Sequence, residues 1–142
     1  MESEAQKYFE DQFNCAQSVF TPFAQRYGMD LETALKIATP FGGGMGHAGQ
    51  VCGAVSGGLM AIGLAKGIST YDRDLKYARY DMAKEFQSRF RELHGDLTCP
   101  GLLGYDIRDP EELEQVRELN LFHTLCPQFV GTAARIADEM IG

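Results

Sequence analysis

The sequence predicts an all-α fold: a single-domain helical bundle of about six to seven helices with a Gly-rich loop. Three observations carry this expectation. Apolar residues recur at spacings of three and four along most of the chain, and no stretch sustains the alternation of a half-buried strand. The length of 142 residues with 44% hydrophobic side chains suits one core, and no linker, repeat or low-complexity tract divides it. A chain of this size buries roughly 70% of the surface its unfolded form exposes, so its four cysteines are not needed as staples.

The elements follow in order. Residues 3–13 form a first short helix with Tyr8, Phe9 and Phe13 to one side. Asn14 caps a second over residues 15–27, with Val19, Phe20 and Phe23 at core spacing, Pro22 as a possible bend and Gly28 as the stop. Asp30 opens a third helix with an acidic first turn, carrying Leu31, Leu35 and Ala38 towards Pro40. Residues 41–49, Phe-Gly-Gly-Gly-Met-Gly-His-Ala-Gly, read as a loop whose glycines allow close approach of backbone to a neighbour or ligand.

A buried apolar helix follows over residues 52–66, with small residues (Gly53, Ala54, Ser56, Gly57, Ala61) that let another helix come near, in this chain or in a homo-oligomer. Residues 71–94 form the longest helix. One of its faces is apolar (Leu75, Ala78, Met82, Phe86, Phe90), and the other mixes Arg73, Lys76, Arg79 and Lys84 with Asp72, Asp74 and Asp81 as intrahelical pairs. His94 precedes Gly95 at its end, where a cation favours the dipole. A short turn or helix spans residues 98–104, Pro110 opens a helix over 111–119, and Cys126-Pro127 starts the last one, with Phe129, Val130, Ala133, Ile136, Ala137 and Met140 facing inward.

The charge excludes some partners. Thirteen Lys+Arg against twenty Asp+Glu leave a formal charge of −7, without the clustered basic face that a nucleic-acid backbone or an anionic membrane surface requires. Residues 51–65 are the most apolar stretch, short of the ~20 residues that span a bilayer. The acidic amino terminus lacks the basic start and apolar run of a secretory signal, so the expected location is cytoplasmic. In a reducing compartment, cysteines point to catalysis, redox sensing or metal binding.

Cys15, Cys52, Cys99 and Cys126 lie 37, 47 and 27 positions apart, too far for the local pairs of a zinc ribbon or thioredoxin-type site. Their contexts are more informative, because each falls at an expected helix start: after Asn14, after the glycine loop, after Thr98 and before Pro127. A helix N-terminus carries partial positive charge and free N–H groups, which lower a thiol's pKa. If the helices converge, four such sulfurs suit either reversible disulfide exchange or ligation of an iron–sulfur cluster or other metal ion. Each cysteine can equally serve as a small core filler.

Gly44-Met45-Gly46-His47-Ala48-Gly49 matches the dinucleotide fingerprint in letters only, because a helix precedes it and no parallel sheet is expected. Gly44, Gly46 and Gly49, with Gly53 beyond them, read instead as a backbone wall offering N–H groups to a sulfur, an oxyanion or a cluster beside Cys52. His47 and His123, five and three positions before a cysteine, are candidates for lowering a thiol's pKa or ligating a metal.

Together, Phe13-Asn14-Cys15-Ala16-Gln17-Ser18-Val19, the run from Phe41-Gly42-Gly43-Gly44 through Cys52-Gly53-Ala54-Val55-Ser56-Gly57, Cys99 with Leu102-Leu103-Gly104, and Cys126-Pro127 resemble the C_GCAxxG_C_C family of redox-active proteins over nearly the whole chain. This chain has Cys-Gly-Ala where the family label has Gly-Cys-Ala. The resemblance implies a helical domain and a redox role for the four cysteines. A similar domain accompanies haem-binding segments in split-Soret cytochromes, which points towards an iron–sulfur centre. The chain lacks Cys-x-x-Cys-His, so covalent haem is not expected. The expected function is thiol/disulfide or electron-transfer chemistry at four helix-start cysteines with an unidentified redox partner. The alternatives are a metal-binding module without catalysis and a helical interaction module.

Overall fold

Polar caps set five of the ten α-helix starts in the computed structural model, which describes residues 1–142. Asn14 accepts from the Gln17 amide while Gln17 reaches back to the Asn14 amide, a closed capping box that starts α2 (Cys15–Arg26) behind α1 (Glu2–Glu10). Asp30 caps α3 (Leu31–Ala38). A 3-10 turn (Thr39–Phe41) and the single turn α4 (Gly42–Met45) then lead to α5 (Gly53–Lys66). Asp72 caps α6 (Arg73–His94), and Gly95 ends it in the left-handed conformation. Thr98 caps α7 (Cys99–Leu103), and Asp109 caps α8 (Pro110–Glu118). The single turn α9 (Leu121–Thr124) precedes α10 (Cys126–Ile141), which closes the chain.

The expected all-α bundle is present, with no strand and seven helices of eight residues or more. Some boundaries differ. The first helix stops at Glu10 because the chain turns at Gln12, whose φ is +75°. The expected continuous loop at 41–49 contains the two tight turns named above, and α9 had no periodicity long enough to announce it.

The main core is built by α1, α2, α5, α6 and α10 around Val19, Phe23, Val55, Phe86, Phe90 and Ile136. A smaller one (Ala16, Phe20, Ala24, Ala34, Ala38) joins α2 to α3, so α3 buries alanines while Leu31 is exposed. The small residues of α5 are used inside the chain. A Cβ at Gly57 would lie 2.8 Å from the Ala16 carbonyl oxygen, and one at Gly58 would lie 2.3 Å from the Phe86 ring. At Gly57 and Gly58 the neighbours are α2 and α6.

On α6, the expected apolar stripe is buried only from Phe86 onward; Leu75 is exposed and Ala78 with it. The reason is geometric. Arg79 donates to the carbonyl of Lys66, the last residue of α5, so the turns before Arg79 overhang the end of their partner. The intrahelical ion pairs expected there do not form; Arg73 and Lys76 lie instead over the rings of Tyr77 and Tyr80. No helix is long and apolar enough to cross a membrane.

His94 also differs from its expected role as a charged cap. Its ring packs against Phe90 and Phe129 with Nε2 2.9 Å from the Thr132 hydroxyl, and burial, with a smaller contribution from Arg135, lowers its pKa. The neutral form is thus favoured in the folded state. The resulting stability is complete above the unfolded value near 6.5 and is lost as pH falls below it towards the folded value. The thermal midpoint should drop as the pH is lowered from about 7.5 to about 5.5, and His94→Gln should flatten that slope. The two faces of α5 supply a second expectation. Gly57→Ala should cost about 1–3 kcal/mol in chemical denaturation, through its clash with backbone. Gly63→Ala, where nothing lies within 4 Å, should add about 0.5–1 kcal/mol.

Candidate functional site

All four cysteines stand at helix starts: Cys15, Cys99 and Cys126 are first residues of α2, α7 and α10, and Cys52 caps α5. Three features of the chain bring them together. The first is the lack of a side chain at Gly53, where a Cβ would lie 3.0 Å from the Ala16 amide and the Phe41 carbonyl oxygen and 3.3 Å from Cys15 Cβ. The start of α5 can therefore abut the start of α2.

The second is a single antiparallel bridge between Val51 and Thr98. Cys52 N–H donates to the Leu97 carbonyl at 2.8 Å, and Cys99 N–H donates to the Gln50 carbonyl at 3.0 Å, which sets the two cysteines in register. Asp96 holds this turn by accepting from the Thr98 and Leu97 amides, which also keeps its carboxyl below the usual range. The third is the glycine turn. Asn14 Nδ2 donates to the Thr39 carbonyl at 2.9 Å, tying the turn to α2, and Gly44, at φ +70°, passes so close that a Cβ would lie 2.7 Å from the Gln50 carbonyl oxygen and 3.1 Å from Cys99 Cβ.

The four cysteines line one cavity of about 1050 Å³. Gly44 and Gly53 form part of its wall, with Gly43 beside them, whereas Gly46 and Gly49 lie outside it, Gly49 against Pro100 and Arg108. His47 and His123 both reach the wall, and the His47 ring stacks on Phe122 with centroids 6.3 Å apart. Phe122, His123 and Arg117, from α8 and α9, complete a side on which only His123 stands out in the sequence. The isolated four-residue α9 gives no periodic signal by which it could have been found.

The thiols are free and chemically unequal. Cys52, only 4% exposed, has its pKa lowered first by the Cys15 thiol and then, against the opposing effect of burial, by the amides of Ala54 and Val55 at the start of α5. Those amides favour the sulfur without closing a capping hydrogen bond. Cys15 is held well above the usual thiol value by its contacts with Cys126 and Cys52 and by burial. Cys99 is pushed up to about 12, chiefly by burial. The arrangement therefore favours a thiolate at Cys52 and a retained proton at Cys15.

The four sulfurs match the thiolate set of an iron–sulfur cluster in kind and number. As placed, no three His, Cys, Asp or Glu side chains form a group that could hold a metal ion. Because the Cys15 thiol lowers the Cys52 pKa, Cys15→Ala should raise the pH at which the first thiolate forms, read by ultraviolet absorbance of the reduced chain or by the pH profile of alkylation.

No curated protein and no solved structure matches the chain. A family model described as "Putative redox-active protein (C_GCAxxG_C_C)" matches residues 13–140, which takes in all four cysteines and every element that brings them together. With that span, the chain belongs to the C_GCAxxG_C_C family.

Proposed function

We propose that this protein is a dithiol redox protein in which Cys52 is the attacking thiolate and Cys15 the second thiol of the pair. The observation that carries this reading is the close approach of α5 to α2 at these residues, where a Cβ on Gly53 would lie 3.3 Å from Cys15 Cβ, with the charge favoured on Cys52 and the proton on Cys15. The thiolate of Cys52 attacks one sulfur of an incoming disulfide, forms a mixed disulfide and expels the other half as a thiolate, which takes up a proton. Cys15 then loses its proton and attacks the Cys52 sulfur, giving an intramolecular disulfide and releasing the second thiolate. Two electrons pass from the protein to the incoming disulfide, and a reductant reverses the cycle.

Cys126, like Cys52, raises the Cys15 pKa, and Cys99 is held at a high pKa chiefly by burial, so Cys99 is not the first nucleophile. Oxidation of the reduced chain by a small neutral disulfide, followed by alkylation and peptide mapping, should give a Cys15–Cys52 linkage. Cys15→Ser should instead accumulate a mixed disulfide on Cys52, and Cys52→Ser should form none. Oxidation that leaves Cys52 free in every case would overturn the assignment.

The presence of all four thiols on one cavity wall supports a second reading, a metal or iron–sulfur module without catalysis of its own. Anaerobic purification with metal analysis separates the two, since a dithiol protein arrives colourless with four titratable thiols.

A further inference from the structure

The thiol cavity continues into a side recess of about 160 Å³ lined by Val116, Arg117, Asn120, Phe122 and His123. Arg117, Phe122 and His123 belong to both walls, so the recess opens beside the thiols rather than elsewhere on the surface. At roughly 30 Å³ per water molecule, it has room for a carboxylate and a short carbon chain.

Its polar groups are unengaged. Arg117 takes part in none of the ion pairs of the chain, although Glu114 lies three positions before it on α8, and neither its guanidinium nor the His123 ring makes a hydrogen bond to the protein. The mouth that Arg117 and His123 share with His47 thus gathers three nitrogen donors, and Glu10 is the only acidic side chain on the cavity wall. Arg117 and Glu10 are the only formally charged side chains on this wall, so the site escapes the acidic excess of a chain of charge −7. A guanidinium with free donors recognises a carboxylate by paired, charge-assisted hydrogen bonds.

We propose that the Arg117–His123 recess is a carboxylate-binding subsite and that the substrates of the thiol site are small disulfides carrying carboxylates near the exchanging sulfurs. The inference rests on the reading of Cys52 as the attacking thiolate, and adds to it the class of disulfide that is attacked. With the carboxylate held by Arg117, one sulfur of the disulfide is presented to Cys52, and the departing half leaves through the cavity mouth as a carboxylated thiolate. The electron balance is that of the exchange above, with the carboxylated disulfide as oxidant.

The test compares dithiodipropionate with its uncharged diamide as oxidants of the reduced full-length chain, each rate divided by that with a simple free thiol. The dianion should be preferred by about tenfold, the scale of one hydrogen bond to a charged group. Added salt should erode the preference, Arg117→Gln should abolish it, and Arg117→Lys should restore part of it. Arg117 is exposed, so these variants leave the core intact. A second arm uses thiodipropionate, a thioether that cannot exchange, and follows the His123 ring by NMR. Arg117-dependent binding there, with neither disulfide reacting, keeps the subsite and overturns the exchange reading. Reaction with the diamide, together with no preference for the dianion and no binding of thiodipropionate, keeps the exchange reading and overturns the subsite.

Discussion

Cys52 lies against Cys15 only because the start of α5 carries no side chain where it meets α2. At Gly53 and Gly57 the added Cβ would meet the backbone of Ala16 itself, which cannot rotate away as a side-chain tip can. The helix crossing is therefore set by main-chain contact, and the two thiols inherit its spacing. Much of the remaining fold serves this junction: α10 and α6 cover the far side of α5, and the Asn14–Gln17 capping box holds α2 and the glycine turn against each other.

Around that junction, polarity is organised by helix ends rather than by charged side chains. The Cys15 thiol, and after it the amides of Ala54 and Val55, favour the charged form of Cys52, while burial keeps Cys99 protonated. Cys15, Cys52 and Cys99 thus differ in chemistry because of their thiol neighbours, their burial and the amides within reach. The same economy holds at the mouth. Side chains from α8, α9 and the glycine turn bring Arg117, His123 and His47 to one cavity wall, where Glu10 is the only acidic side chain.

Much of this was legible residue by residue. Asn14, Asp30, Asp72 and Thr98 announce their helices because a capping side chain acts on amides only two or three positions away. The inward faces of α2 and α10 follow from spacing for the same local reason. Leu75 and Ala78 show where periodicity stops informing: their stripe is apolar, but burial depends on whether a partner helix extends far enough, and α5 ends beside Arg79. Gly46 and Gly49 show the same limit at the site. They share a motif with Gly44, yet the turn directs only Gly43 and Gly44 to the cavity.

Local chemistry thus settled the helical class, most helix starts and the four cysteines at those starts, since each depends on residues within one turn of the chain. Long-range packing decided the rest. The Val51–Thr98 bridge joins two segments that have no strand pattern of their own, and α9 is too short for any periodicity. Which thiol holds the charge, and which histidines and arginine reach the cavity, depend on contacts between residues tens of positions apart, and such contacts exist only once the core has closed.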